Sequence, residues 1–366
     1  SFVAEAKLNA IIRNKMIDDQ LRGYKTPYES TILGYQNDVK TIENLVEVVT
    51  ASNHIAHRFF NLKAKVINKI DNSTDTNITM AELSTGMATA TAQSAKIPFE
   101  KAVQMVTDAF TEADPDMGGV VQKYVSRGQI DVFPRQGKTT GGFCAGISGC
   151  PDTYILLNYA GKLNDVSTLA HEMGHAIHTD LSRNQPILYQ DYTISVAEVA
   201  STFFENILFD KLLEQASVDE KKDLMLNDIQ GRITTIHSQV AYFQFEKRLH
   251  AAVKEKGYVS KEEMAEMFAD CRRSYTGSSM DVTTDDGYAF VYISHFRSFF
   301  YVYSYAYGQL IADALYAEYK KDKSFIKKVK VFLQAGGSMS PTDIFKKLGI
   351  DTTKPDFFKK GLDKLE

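Results

Sequence analysis

The run His171-Glu172-Met173-Gly174-His175 restricts this chain more than any other stretch of it. It lies within DVSTLAHEMGHAIHTDL, whose apolar spacing predicts a helix over about residues 166–181 with Asp165 as its N-cap. Residues four apart on a helix lie about 40° apart around its axis and one turn along it, so His171 and His175 can direct both imidazoles at one metal ion. Glu172 falls in the same arc. It cannot easily ligate alongside both histidines, but it can act as general base toward a water activated there. His178 is on the same stripe, yet it sits roughly 10 Å along the axis from His171. It is too far to share that ion and is expected behind the ligands or at the surface.

A third ligand must then come from another element. The segment VAEVASTFFE supplies Glu198 and Glu205, seven residues apart and so on one helical face. Both are candidates, because an acid inside a stretch as apolar as ISVAEVASTFF needs a partner and a cation supplies one. An ion pair with a buried arginine, or plain exposure to water, would serve Glu198 equally well on sequence grounds.

The rest of the chain supplies a mostly helical scaffold. Residues 4 to about 69 read as two or three helices, and the turn-rich DNSTDTNIT (71–79) marks a break, dividing a helical lobe (1–70) from a larger domain (71–366). A further helix is expected over about 98–113. Between about 129 and 158, short β-prone runs separated by Gly, Pro and Lys form the one strand-like region. From Val166 onward the pattern is helical again, closing with Ser340 as N-cap, Pro341 in a first turn and Gly349 as terminator.

Composition removes several functions. With 42 basic and 46 acidic side chains the net charge is −4, so no basic excess points to nucleic acid or an anionic membrane. No run of about 18 apolar residues could span a bilayer. Three cysteines, Cys144, Cys150 and Cys271, are too few for a disulfide framework and suit a reducing, cytoplasmic compartment.

HEMGH followed by DYTISVAEVAST closely resembles the oligoendopeptidase F branch of the thimet oligopeptidase family. GQIDVFPRQGKTTGGFCAG, YILLNYAGKLNDVSTLAHE, YISHFRSFFYVYSYAYG and FLQAGGSMSPTDIFKKLGID extend the likeness from about Leu21 to the end. The resemblance implies a mainly α, two-lobed zincin-type peptidase with a small β-sheet beside the zinc helix. It implies one Zn2+ per chain held by His171, His175 and Glu198, with Glu172 as base and Glu205 supporting a histidine. It further implies short peptides as substrates, and a further N-terminal helical lobe, separate or removed, of which residues 1–70 would be a remnant.

Within the same likeness, His295, Tyr301 and Tyr305 would meet the carbonyl oxygen on which charge grows, with Tyr303 an alternative to its neighbours. Tyr301, Tyr303, Tyr305 and Tyr307 alternate as a strand would, but they run without a break into GQLIADALYAEYKKD, so a helix is preferred. Gly142, Phe143, Cys144 and Ala145 lie in the expected edge strand (141–146), where a substrate backbone could pair as an added strand. His54, His57, His237 and His250 lack acidic companions and read as packing or surface residues. Two other functions remain open: a carboxypeptidase or dipeptidase resembling angiotensin-converting enzyme, and a peptide-binding module with structural zinc or none.

Overall fold

Apolar residues recurring at three- and four-residue spacing produce helix through most of the computed structural model, which describes residues 2–85, 96–150, 152–363 and 365–366. The N-terminal stretch forms four helices, Phe2–Arg22, Glu29–Gly34, Val39–Ala51 and Asn53–Ile70, where two or three were expected. The turn-rich break follows, and within it Ile78–Thr79 pairs in parallel with Met280–Asp281. The helix expected over 98–113 is Phe99–Ala113, and Pro341–Lys347 carries the expected cap, its Asp343 N–H donating to Ser340 Oγ at 3.2 Å. No helix among the described residues is long and apolar enough to cross a membrane.

The chain forms two compact units, one of Ser1–Ala88, Met225–Tyr307 and Thr352–Glu366, the other of Thr89–Leu224 and Gly308–Asp351. The expected boundary near residue 70, between a lobe (1–70) and a domain (71–366), does not coincide with this division. Local patterning shows where a helix stops, not which distant helix it packs on. In the first unit, Phe2–Arg22 packs on Gln239–Lys256, and Asn53–Ile70 packs on Lys261–Thr276. Its core holds Phe245, Phe268 and Phe296, with ring centroids 4.8 to 5.5 Å apart.

The second unit carries the three-stranded sheet: β1 (Ile130–Asp131), β2 (Phe143–Gly146) and β3 (Thr153–Leu156). The order is β1-β3-β2, with β1 parallel and β2 antiparallel to β3, and Phe143 faces Leu156 while Gly146 faces Thr153. Among the described residues strand β2 is therefore an edge, starting at Phe143 rather than at the expected residue 141. Beside the sheet runs Leu163–Ser182, which includes the histidine run. It starts earlier than expected, and Asp165 stands inside its first turn rather than at the N-cap: its carboxylate accepts from the N–H groups of Ala160 and Lys162 at 2.8 and 2.9 Å.

The helix Ile194–Gln215 is apolar nearly all round and is buried accordingly, with Val199, Ala200, Phe203, Phe204 and Leu208 in the core. It packs on Leu163–Ser182 at very short range. A Cβ on Gly174 would lie 2.7 Å from Ser201 Cα, so only glycine permits this approach. Gly174→Ala should therefore destabilise the chain by about 1–3 kcal/mol, read as a lowered urea midpoint; an unchanged midpoint would show that the helices can separate freely.

Candidate metal centre

Two turns of Leu163–Ser182 face one turn of Ile194–Gln215, and this brings His171, His175 and Glu198 together. One ligand atom from each lies within 4.8 Å of the others. The imidazoles of His171 and His175 are edge to face with centroids 4.8 Å apart, as four-residue spacing on a helix dictates. His171 uses both ring nitrogens: Nε2 lies 3.5 Å from Glu198 Oε2, and Nδ1 lies 3.1 Å from Glu205 Oε2. The two acids proposed for one task thus stand on opposite sides of one histidine. Glu198 is further held by Ser201, whose Oγ is 3.4 Å from Oε2.

The charge balance of this cluster is acidic. Burial alone would lower the His171 pKa, but the charge of Glu205, its hydrogen bond, and the charges of Glu198 and Glu172 outweigh it and lift it to about 9. His175 goes the other way, held neutral by burial and by the positive charge of His171. Glu172 is pushed up to about 7 by burial, opposed by His171 and reinforced by Glu198 and Glu205. Burial also raises Glu198. One neutral imidazole, one imidazole that a cation can deprotonate, and a carboxylate make a donor set suited to a divalent metal. Glu172 Oε2 is buried and has no hydrogen-bond partner, as a base awaiting a water requires.

Edge strand β2 lies against the same helix. A Cβ on Gly142 would come within 3.1 Å of Glu172 Oε1, so Gly142 leaves the space in which that carboxylate sits. Phe143 and Ala145 are exposed, whereas Cys144 is half-buried. Burial, then the charge of Glu172, pushes the Cys144 thiol up to about 12, which leaves it a small packing group rather than a nucleophile.

His295, Tyr301 and Tyr305 come together in the first unit. Tyr301 OH is hydrogen-bonded to His295 Nδ1, and the three rings lie with centroids 5.1 to 6.0 Å apart. Tyr303 is excluded from this group: it is fully buried, and Asn37 Nδ2 donates to its hydroxyl at 3.0 Å. The preferred helix begins only at Tyr303, so Tyr301 belongs to the turn before it rather than to a shared helical face.

Of the two places expected for His178, the surface is not the one it takes: it is fully buried, stacked on Tyr192 with centroids 3.6 Å apart, and burial pushes its pKa down to about 3. His57, His237 and His250 are packing residues: His57 bonds to the Ser274 carbonyl, His237 to Ser52, and His250 lies against Phe299 and Phe300.

The reading of the residues missed Gly308. Its missing side chain leaves room for Glu198, whose Cβ would stand 2.8 Å from an added methyl. A glycine inside the helical pattern YAYGQLIA was the available signal.

A metal ion held by His171 would displace its proton, so affinity should rise with pH up to about 9 and level off above it. Glu205→Gln should weaken the metal about 10- to 100-fold by loosening that ring. Competition against a chromophoric chelator across pH measures both, and equal affinity in the variant would remove Glu205 from the centre.

Comparison with known proteins follows the same lines. The chain is 27% identical over 369 residues to Oligopeptidase PepF of Bacillus subtilis, covering 98% of this chain and 54% of that protein. It is 28% identical over 343 residues to an oligoendopeptidase F homologue of Borreliella burgdorferi, covering 91% and 56%. The chain thus spans about half the length of these curated relatives. The solved oligoendopeptidase-F of Enterococcus faecium shares the fold, with a TM-score of 0.69 at 21% identity over 99% of this chain and 60% of that one. Residues 4–364 match the description of Peptidase family M3, and the chain belongs to that family.

Proposed function

We propose that this chain is a zinc-dependent endopeptidase that cuts internal bonds of short peptides. The observation that carries the reading is the gathering of His171, His175 and Glu198 around one point, with the unpartnered carboxylate of Glu172 beside them. Two histidines and one carboxylate with an open position suit zinc best, one ion per chain. When bound, zinc supplies Lewis acidity and makes a water acidic enough to ionise near neutral pH.

The remaining steps belong to side chains. Glu172, poised at about 7, takes a proton from the attacking water and passes it to the leaving amine. Glu205 holds His171 in the tautomer whose Nε2 is free to ligate. Phe143, Cys144 and Ala145 of β2, with Gly142 just before it, offer an edge unpaired among the described residues to an extended peptide, which would add as a further strand.

By the family resemblance His295 is the donor to the carbonyl oxygen, with the Tyr301 hydroxyl holding its ring. Burial lowers the His295 pKa, so its ring is neutral near pH 7. With the Tyr301 O–H donated to Nδ1, the ring carries its proton on Nε2 and can donate it outward, so the hydroxyl orients the ring and the ring supplies the donor. Burial and Tyr305 raise the Tyr301 pKa, keeping the phenol protonated for its bond to His295.

A short, internally quenched peptide blocked at both ends tests the reading. Zinc-loaded chain should cut it internally, lose activity to a chelator and regain it with zinc. Glu172→Gln should keep stoichiometric zinc while turnover falls about 100- to 10,000-fold. Cleavage confined to free termini would instead make this an exopeptidase, and stoichiometric zinc without cleavage would leave a peptide-binding module.

A further inference from the structure

We infer that Glu246 is a positioning residue that sets the geometry of the His295–Tyr301 pair by clamping a strained turn. The inference rests on the reaction role proposed for that pair. Phe299 and Phe300, immediately before Tyr301, both have left-handed backbone, with φ of 49° and 60°. Two consecutive bulky side chains in this region are costly and persist only where their surroundings enforce them. The reversal they produce brings Tyr301 back onto His295, six residues earlier in the chain.

Three contacts enforce it. The Phe300 N–H donates to Glu246 Oε1 at 2.9 Å, and Thr31 Oγ1 donates to the Phe299 carbonyl at 3.0 Å. The Phe300 ring is wedged between Phe243 and His250, with centroids 5.3 and 4.8 Å away.

Glu246 makes no sense as a stabilising core residue. It is 2% exposed, its Oε2 has no hydrogen-bond partner, and a buried carboxyl with one bond is expensive where a Leu or Met would pack. The bond to the Phe300 N–H is what it supplies. Burial pushes its pKa up to about 8 against that hydrogen bond and the charge of Lys15, so near neutral pH it is mostly the protonated acid. Glutamine reproduces that group closely, whereas methionine matches its volume without an acceptor.

The experiment compares Glu246→Gln and Glu246→Met, each alone and combined with Tyr301→Phe, in the full zinc-loaded chain. Peptide kinetics are read beside the 13C resonance of the labelled His295 ring, assigned by its loss in His295→Gln. Glu246→Gln should leave kcat and the His295 resonance near those of the parent. Glu246→Met should lower kcat by up to about 100-fold with little change in KM, and should move the His295 resonance toward its position in Tyr301→Phe. In the Tyr301→Phe background it should cost nothing further.

An unmoved His295 resonance in Glu246→Met would overturn the inference, as would an equal loss of kcat with and without Tyr301. If Tyr301→Phe keeps full activity while Glu246→Met still moves the resonance, the positioning stands and the reaction role of Tyr301 falls. Should Glu246→Met not fold, Glu246→Asp withdraws the acceptor by one methylene and is read by the same criteria.

Discussion

The candidate metal centre depends on two helices lying closer than side chains ordinarily allow. Gly174 meets the backbone of Ser201, and on the other side of Glu198 a second glycine, Gly308, approaches its Cβ. Neither glycine touches a candidate metal atom. Each sets the depth at which Glu198 stands relative to His171 and His175, and ligand sets must converge within tenths of an ångström to bind a metal well. Packing density comes first here, and the chemistry inherits its precision from it.

Bringing those helices together concentrates like charge. Glu172, Glu198 and Glu205 all act on His171. At about 4 Å and an effective dielectric near 20, one charge pair is worth about 4 kcal/mol, comparable with much of a protein's whole stability margin of about 5–15 kcal/mol. The cluster is therefore tolerable only with positive charge in its midst. Protonated His171 provides some of it, and a divalent cation would provide more. Burial, with the charges of Glu198 and Glu205 added to it, lifts the Glu172 pKa to about 7, which is the condition a proton carrier needs.

Much of this was legible in the sequence, and the limits follow from what spacing can encode. Four-residue spacing fixes where two imidazoles point whatever the surroundings, so the closeness of His171 and His175 could be read directly. Seven-residue spacing put Glu198 and Glu205 on one face, but only the fold reveals that His171 stands between them and occupies both. Gly142 and Gly308 act through atoms they lack, and a sequence shows a glycine without showing what fills its space. His178 obeyed the helical period, yet its burial depends on Tyr192, supplied by a separate segment. The actual division into two units was invisible for the same reason, since the partners of the first helices lie beyond residue 225.

The two histidines are unequal, although their four-residue spacing suggests interchangeable ligands. His171 has a carboxylate behind its ring and one before it, and their charges favour its protonated form. His175 feels that cation and stays neutral. Arrival of a metal therefore asks little of His175 and demands a proton from His171. The carboxylate that makes this proton hard to remove, Glu205, is also the one that fixes the ring for ligation. Selectivity against weakly binding cations follows: an ion must bind strongly enough to displace the proton, and a hard ion with little affinity for imidazole does not.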